Sequence, residues 1–498
     1  MTTSPTTAFL DVFILTFNAG KQQIDPSVFA RHLRNAFAQN ATGLPELVVF
    51  CLQEMAPLAQ SFIGSYMINP CTYSFTSEII AAAARVVLEN FQCYASAVNL
   101  AARNDVAWSG RAQERDRGVV GCSDADEDAY QNQEEPGGSP YTLVTSRNVG
   151  LTGIMLFALN PEALHHLKST EVGFGAGDMG NKGALGLRML FSKEDAGGRT
   201  RQTELTFVGT HLAAHEWNLE KRNKHWENIV SGLLFEDPKK LRGPKSASPT
   251  PRTSSDGDER DLLLAQDPNE KALHDITIYK PGSHLFVAGD LNYRISRTPP
   301  SPESAFPDLD PKSPNYFKRF LALDQLALEK STGRTLHGLS ESTILFPPTY
   351  KLEITDAEDV ASWKWAPHRW PGWCDRILYL DIPPWAPTTS AKIDTLAYDA
   401  LPPVRTSDHR AVYLRARVPV LEASILAPSN STQPPDSTDP RIKLPYPVDF
   451  ESWDHRARVK KWESVMGWCM LVSQSKQGIA IFVILSLVGL GTWWLRSR

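Results

Sequence analysis

Short runs rich in β-branched and aromatic residues constrain the fold of this chain more than any other feature of its sequence. Such runs, bounded by turn residues, are typical of β-strands. They are Asp11–Phe17, Leu47–Leu52, Val149–Leu159, Ala184–Phe191, Glu204–Val208, His284–Ala288, Ile377–Asp381 and Ala411–Val418. Helical patterns lie between several of them, at Ser27–Gln39, Thr76–Val98 and Trp217–Phe235. Because strands outnumber helices without a regular alternation, the sequence predicts an α/β domain with mixed or antiparallel sheets.

Polar side chains stand at the ends of these predicted strands. Asn18, Glu54, His211, Asp290 and Asn292 follow strands, and Asp375, Asp408 and His409 lie at or before the start of one. Taken singly, each has an ordinary alternative as a turn or cap residue. Taken together, carboxylates, amides and imidazoles without thiols suit a hard cation such as Mg²⁺. The pattern indicates metal-assisted hydrolysis of a phosphoester.

Charge and cysteine content narrow the function further. The 498 residues include 51 Lys+Arg and 56 Asp+Glu, a net charge of −5, which argues against a protein that binds nucleic acid by neutralising phosphates. The 6 cysteines are scattered without CxxC spacing, so we expect reduced thiols and neither a disulfide framework nor a zinc site. Nothing in the sequence identifies a protein partner.

Three stretches poor in apolar residues divide the chain, at 121–140, 243–261 and 428–440. We predict a catalytic domain at 1–420 with the first two stretches as disordered insertions, and a linker and juxtamembrane segment at 421–477. Within the latter, Tyr446–Gln474 carries tryptophans among basic residues. Two alternatives stay open for it, a position on the membrane surface and packing against the main domain.

The C-terminal run Gly478–Leu495 has 18 residues and no charge. At about 1.5 Å per residue it is roughly as long as a bilayer's hydrocarbon core is thick. A buried core helix is the alternative, but we expect a single-pass tail anchor with the catalytic domain in the cytosol. A short span favours the endoplasmic reticulum membrane, while Arg496 and Arg498 leave mitochondrial or peroxisomal membranes open.

Eight short motifs, in order between Phe9 and Val418, resemble those of the inositol polyphosphate 5-phosphatase family of the DNase I-like superfamily. They are TFNAG, LQE, GNKGA, THLAAH, GDLNYRI, FPPTYK, PGWCDRIL and TSDHRAVY. The resemblance implies a DNase I-like four-layer α/β sandwich, two mixed or antiparallel sheets flanked by helices, to which the sequence adds a C-terminal transmembrane helix. The motifs GDLNYR and WCDRIL together are far more specific for this family than the shorter motifs that it shares with nucleases of the superfamily.

The resemblance also implies roles for the residues at the strand ends. Glu54, helped by Asn18, would hold Mg²⁺, with Asp408 as a further carboxylate on the metal side. Asp290, oriented with Asn292, would activate the attacking water. His409 would contact the scissile phosphate with Asp375 fixing its imidazole, and His211 would be a second phosphate contact.

Further cations would meet the other phosphates of an inositol ring. By family likeness these contacts come from Tyr350, Lys351 and Arg369, with Asn181, Lys182 and Arg376 as lesser contributors. For Arg376 the alternative is a structural ion pair, and for Lys182 a solvated loop lysine. The chain departs from the family pattern at Pro367, where a lysine is common, and at Lys224-His225, where an Asp contact is absent.

The resulting expectation is Mg²⁺-dependent removal of the 5-phosphate of phosphatidylinositol 4,5-bisphosphate at a cytosolic membrane face. The alternatives are another DNase I-like phosphodiesterase, such as a nuclease or sphingomyelinase, and a tail-anchored tether that binds phosphoinositide without hydrolysing it.

Overall fold

The computed structural model describes residues 8–67, 78–103, 139–195, 197–241, 268–354, 363–387, 392–428, 438–474, 487 and 492–494. Two six-stranded sheets form its centre. The first contains β1 (Phe9–Asn18), β2 (Leu47–Gln53), β3 (Thr142–Val149), β4 (Thr152–Ala158), β11 (Asp394–Ala400) and β12 (Val412–Pro419). The second contains β5 (Leu164–Gly173), β6 (Gly183–Glu194), β7 (Thr200–His211), β8 (Ser283–Asp290), β9 (Leu339–Ser340) and β10 (Asp375–Leu380).

Both sheets are mixed, as the sequence predicts. The first has the order β11-β12-β1-β2-β4-β3 and the second β5-β6-β7-β8-β10-β9. In each sheet one central pair is parallel, β1 with β2 and β7 with β8, and the other pairs are antiparallel.

Helices connect the strands and cover the outer faces of both sheets. They are α1 (Pro26–Ala38), α2 (Leu58–Met67), α3 (Glu78–Ala102), α4 (Leu219–Gly232), α5 (Pro238–Leu241), α6 (Pro268–Asp275), α7 (Gln325–Ser331), α8 (Ala423–Leu426) and α9 (Ser452–Gln474). Three short 3-10 helices lie at Pro161–Ala163, Ala176–Asp178 and Phe317–Leu323. The predicted helices correspond to α1, α3 and α4.

Three apolar clusters define the layers. The largest lies between the sheets, where residues such as Val49 of β2 face residues such as Phe207 of β7. A second packs α1 and α3 on the outer face of the first sheet, and a third packs α4 on the outer face of the second, around Trp226. The predicted four-layer α/β sandwich is therefore confirmed.

Sheet register brings the polar strand ends together. The parallel pairs place Asn18 beside Gln53, the residue before Glu54, and His211 beside Asp290. The antiparallel partner β10 begins with Asp375 directly opposite Asp290. Because the carboxyl ends of parallel strands meet at one edge, these side chains share one end of the sandwich.

The C-terminal helix α9 packs against the domain, which is one of the two alternatives for Tyr446–Gln474. Ser452, Arg456, Val459, Glu463 and Gly467 form its buried face. Gly467 lies so close to α2 that a Cβ atom there would come within 3.0 Å of the Ala59 carbonyl oxygen. The described part of the predicted juxtamembrane segment is thus a packed element of the domain.

In the part of the chain that the structure describes, no helix has both the length and the apolar character needed to cross a membrane. The predicted span 478–495 lies outside the described residues, apart from 487 and 492–494. The predicted insertion at 243–261 also lies outside them, as does 121–140 apart from its last two residues.

Candidate active site

A cavity of about 250 Å³ lies at the end of the sandwich where the polar strand ends meet. Its walls contain ten of the residues predicted from the sequence, together with Ala214 and Arg294. The ten are Asn18, Glu54, Lys182, His211, Asp290, Asn292, Tyr350, Lys351, Asp408 and His409. The structure therefore brings most of the predicted site residues into one cavity.

Asp290 is held in the cavity by contacts to three other residues of the wall. Its Oδ2 accepts a 3.0 Å hydrogen bond from Nδ2 of Asn18 and lies 3.3 Å from Nε2 of His211. Its Oδ1 accepts a 3.1 Å bond from the backbone nitrogen of Asn292. Burial acts to raise the pKa of Asp290, but the hydrogen bond from His211 and the charge of His409 outweigh it and lower the pKa. Asp290 is therefore an ionised proton acceptor, held in a fixed orientation.

His409 and Asp375 form a buried pair beside Asp290. Nδ1 of His409 donates a 2.9 Å hydrogen bond to Oδ2 of Asp375, which also accepts a 2.7 Å bond from the Thr349 hydroxyl. Burial acts to lower the pKa of His409, but the charge and hydrogen bond of Asp375 raise it to about 9. At neutral pH His409 is a cation, and its Nε2 lies 3.9 Å from Oδ2 of Asp290.

Lys182 contacts His211 in the cavity, where its Nζ lies against Nε2 of the imidazole. Burial lowers the pKa of Lys182 to about 8 and also lowers the pKa of His211. Lys182 therefore lies inside the site, not on a solvated loop as the alternative had it. A partly desolvated ammonium group next to Asp290 is a ready counter-ion for a phosphate.

Glu54 follows β2 with a positive φ of 47°, a backbone conformation that is uncommon for a residue with a Cβ atom. Its Oε2 lies 3.3 Å from Nζ of Lys21. Burial acts to raise its pKa, but the positive charges of His211, Lys182 and Lys21 outweigh burial and lower the pKa. Glu54 lines the same cavity as Asn18 and Asp290, and oxygen donors of this kind fit a hard divalent cation.

Asp290, Asp375 and His409 also have ligand atoms within 4.8 Å of one another. In this trio, however, Oδ2 of Asp375 is already bonded to both His409 and Thr349. These bonds favour the Glu54 side of the cavity for a metal, and the metal-ligand roles of Glu54 and Asn18 stay predictions.

Arg294 is a site residue that sequence reasoning missed. It is 2% exposed, its Nη2 is bonded to Oδ1 of Asn292, and its Cζ lies 4.3 Å from the ring centroid of Tyr350. Its Nη1 is buried without a hydrogen-bond partner among the described residues. The signal was present, since Arg294 ends the GDLNYR motif, and a buried guanidinium nitrogen lining a cavity is suited to an anionic ligand.

Arg376 is not a substrate contact, and that prediction was wrong. It is 2% exposed and outside the cavity walls. Its guanidinium donates to Glu341 at 2.7 and 2.6 Å and to Asp324 at 3.0 Å. These bonds make it the structural ion pair that was the alternative.

Asn181 and Arg369 also lie outside the cavity walls. Oδ1 of Asn181 accepts a 3.1 Å hydrogen bond from the backbone nitrogen of Ala176, so the side chain holds its own loop. Arg369 donates to Glu216 at 3.2 Å and contacts His215. The predicted direct contact of Asn181 is therefore not supported, and Arg369 is held by a neighbouring carboxylate.

Lys351 and Asp408 neutralise each other in the cavity wall, since Nζ of Lys351 is bonded to Oδ2 of Asp408. Burial acts to raise the pKa of Asp408, but the charges of His409 and Lys351 and the bond from Lys351 lower it. The ammonium of Lys351 also lies 5.4 Å from the Tyr350 ring centroid. A metal-ligand role for Asp408 stays a prediction.

Comparison with known proteins identifies the family to which this fold and site belong. The model of the endonuclease/exonuclease/phosphatase family 2 matches residues 15–415. The chain belongs to this family.

Among its curated relatives, the resemblance to inositol polyphosphate 5-phosphatases is confirmed. The chain is 30% identical over 282 residues to inositol-1,4,5-trisphosphate 5-phosphatase 1 of Schizosaccharomyces pombe, covering 55% of this chain and 20% of the relative. It is 28% identical over 272 residues to polyphosphatidylinositol phosphatase INP53 of Saccharomyces cerevisiae, covering 54% of this chain and 19% of the relative. The chain thus spans about a fifth of the length of these relatives.

A solved structure of the inositol polyphosphate 5-phosphatase domain of a synaptojanin, in complex with inositol (1,4)-bisphosphate and calcium, is also similar. It has 21% sequence identity and a TM-score of 0.47, and covers 84% of this chain and 88% of its own.

Proposed function

We propose that this chain is a phosphoinositide 5-phosphatase. It uses Mg²⁺ to hydrolyse the 5-phosphate of phosphatidylinositol 4,5-bisphosphate and releases phosphatidylinositol 4-phosphate and phosphate. The observation that carries the proposal is the position of ionised Asp290 between the two imidazoles of His211 and His409 in one cavity. The names of the relatives support the substrate class.

Asp290 would accept the proton of the attacking water, because its pKa is lowered and its orientation is fixed by Asn18 and Asn292. The hydrogen bond to Asp375 orients the protonated imidazole of His409. Its Nε2 would then donate a hydrogen bond to a phosphoryl oxygen. The described cavity walls contain no Ser, Thr or Cys. Direct attack by water is therefore the simplest course, and positioning supplies much of the rate.

Glu54 and Asn18 would hold the metal ion. When bound there, Mg²⁺ would supply positive charge that polarises the phosphate and stabilises the leaving oxygen. Mg²⁺ is favoured because the donors are oxygen atoms and are few. The ion would therefore keep several water ligands and also bind an oxygen of the substrate phosphate.

The neighbouring phosphate of the ring would be bound by the wall that Tyr350, Lys351 and Arg294 form. A phosphate oxygen would compete with Asp408 for the ammonium of Lys351 and would meet the unpartnered Nη1 of Arg294. This cationic wall favours a substrate with a second phosphate beside the one that leaves.

A membrane location completes the proposal. The uncharged run 478–495 would anchor the chain as a single-pass tail in the endoplasmic reticulum membrane, with the catalytic domain on the cytosolic side. Anchoring raises the effective concentration of a lipid substrate relative to soluble inositol phosphates.

Phosphate release from short-chain phosphatidylinositol 4,5-bisphosphate with Mg²⁺ tests the activity. We expect Asp290→Asn to lower kcat by about 10²- to 10⁴-fold. The matched control Asp394→Asn changes an exposed carboxylate paired with Arg417 and should leave kcat unchanged. Equal rates for wild type and Asp290→Asn would refute the proposed phosphatase activity. Binding without release would favour the tether, and turnover of DNA or sphingomyelin instead would favour the other phosphodiesterases.

A further inference from the structure

The C-terminal helix α9 carries an ion pair on its buried face and several large apolar side chains on its exposed side. Arg456 and Glu463 lie on its buried face, and Glu463 is 0% exposed. The opposite face exposes Trp462 (66%), Val465 (50%) and Met466 (42%), followed one turn later by the exposed Cys469. A helix on the surface of a globular protein normally has the reverse distribution.

Specific bonds hold the buried face of α9 against the domain. Arg456 donates to both oxygens of Glu463 at 2.7 and 2.8 Å and to Glu171 of β5 at 3.1 Å. Lys460 adds a 3.0 Å bond to Glu171. Because these bonds fix the rotation of α9 about its axis, the apolar face is held outward and is not free to turn into the core.

The spacing of the exposed residues makes them one surface. Positions 462, 465, 466 and 469 follow the i, i+3, i+4, i+7 pattern of a single helix face. Contiguous exposed apolar patches of this kind mark interaction sites. We call Trp462, Val465, Met466 and Cys469 the outer face of α9.

Two observations indicate a lipid surface as the occupant. The uncharged run that begins at Gly478 lies four residues after Gln474, the last residue of α9. The same helix exposes Arg458 and Lys461, which suit anionic lipid head groups. A tryptophan beside basic residues is also typical of helices that lie in the membrane interface.

We propose that the outer face of α9 docks on an anionic lipid bilayer. The helix lies at the same end of the molecule as the cavity, since Glu463 bonds to Gly180, two residues from Lys182, and Gly467 packs on α2, which begins four residues after Glu54. Docking therefore brings the cavity end of the domain to the lipid. This contact of the folded domain rests on the proposed function and acts in addition to its tail anchor.

Photo-cross-linking of the full chain in phosphatidylcholine–phosphatidylserine vesicles tests this surface. The photoreactive residue p-benzoylphenylalanine replaces Val465 in one variant and Leu159 in the control. Leu159 is also exposed (36%), but it follows the end of β4 that pairs with the start of β2, away from Glu54. We expect lipid adducts at 465 and few at 159. Adducts only to protein at 465, or equal lipid labelling at both positions, would overturn the proposal.

An activity measurement separates this surface from catalysis. In Val465→Glu the expected rate on substrate embedded in vesicles falls several-fold, while the rate on monomeric short-chain substrate stays that of wild type. The control Leu159→Glu should change neither rate. A Val465→Glu variant with unchanged vesicle activity would contradict docking. If no variant, wild type included, turned over either substrate, the proposed function would fail, but the cross-linking result would stand.

Discussion

Oε1 of Glu463 accepts a 2.6 Å hydrogen bond from the backbone nitrogen of Gly180, and this bond joins the C-terminal helix α9 to the loop that carries Lys182. Glu463 is fully buried and is also paired with Arg456. The helix lies beyond residues 15–415, the region matched by the family. The candidate active-site cavity is therefore supported by a segment outside the region that the family model matches.

Removing this carboxylate should destabilise the domain. Glu463→Ala leaves the Gly180 N–H without its acceptor and removes one of the two acidic partners of Arg456, so we expect a loss of about 3–5 kcal/mol in the free energy of unfolding. Urea unfolding of wild type and variant measures this loss of stability. Glu463→Gln keeps an acceptor for Gly180 and should lose less. Equal, near-zero losses in both variants would show that the bond does not support the loop.

Asp375 should control the charge and orientation of His409. In Asp375→Asn the imidazole loses the carboxylate that raises its pKa, so we expect kcat to fall about 100-fold or more. Steady-state kinetics on a short-chain phosphoinositide provides the measurement. Asp381→Asn changes an exposed carboxylate just after the other end of β10, and this control should retain the wild-type rate. A kcat within twofold of wild type for Asp375→Asn would argue against the pairing as a catalytic feature.

Glu54 should determine metal affinity. Since its ionised carboxylate is a donor of the proposed metal site, Glu54→Gln should raise the Mg²⁺ concentration for half-maximal activity by roughly tenfold or more. Thermal unfolding offers a second readout, because a bound ion stabilises the native state and Mg²⁺ should raise the melting temperature of wild type more than that of the variant. Glu89→Gln, an exposed glutamate of α3, is the control. Identical Mg²⁺ dependence in all three proteins would place the metal elsewhere.

Stability should fall as the pH drops from 7 to 5, and His284 should contribute to the fall. Burial lowers the pKa of His284 to about 4, with the charge of Arg441 acting in the same direction and the hydrogen bond to the Pro419 carbonyl oxygen opposing it. In the unfolded chain the pKa is about 6.5. Below that pH the unfolded chain binds a proton that the native protein does not, so native stability decreases until about pH 4.

The size of this effect follows from the pKa difference. Between pH 6.5 and 5 one such histidine costs about 1.5 kcal/mol of stability, because the full slope of 1.36 kcal/mol per pH unit is reached only below the pKa of the unfolded chain. Denaturant unfolding of wild type and His284→Gln at both pH values isolates it, because the variant should lose that much less on acidification. An equal pH dependence in both proteins would show that His284 is not a buried neutral group.

The strands that the sequence failed to predict are β3, β5, β9 and β11, and these are the four outer strands of the two sheets. The eight predicted strands all lie inside the sheets, where both faces are covered and apolar runs are long. An edge strand such as β5 keeps half of its residues exposed. Its sequence therefore resembles a loop, and only pairing with β6 makes it a strand.

The same logic explains the error at Arg376. Successive residues of a strand point to opposite faces. In β10, Ile377 belongs to the cluster between the sheets and Leu378 to the outer cluster. Asp375 thus faces inward to His409, and Arg376 faces outward to Glu341. Proximity to Asp375 in the motif suggested a shared site, but the strand period separates the two side chains.

The position of Arg294 in the site was missed, and the packing of α9 was left open, for a different reason. The partners of Arg294, Asn292 and the ring of Tyr350, come from segments almost 60 residues apart, and the partner of Glu463 is a backbone nitrogen 283 positions away. Contacts of this range leave no local periodicity in the sequence. They become visible only when the chain is folded.

The regiochemistry of phosphate release tests the proposed activity most directly. The full chain with Mg²⁺ is given phosphatidylinositol 4,5-bisphosphate, and the remaining lipid is identified by chromatography against both monophosphate standards. The expected product is phosphatidylinositol 4-phosphate, absent with Asp290→Asn. Phosphatidylinositol 5-phosphate as the product, or no consumption of the lipid by wild type, would contradict a 5-phosphatase.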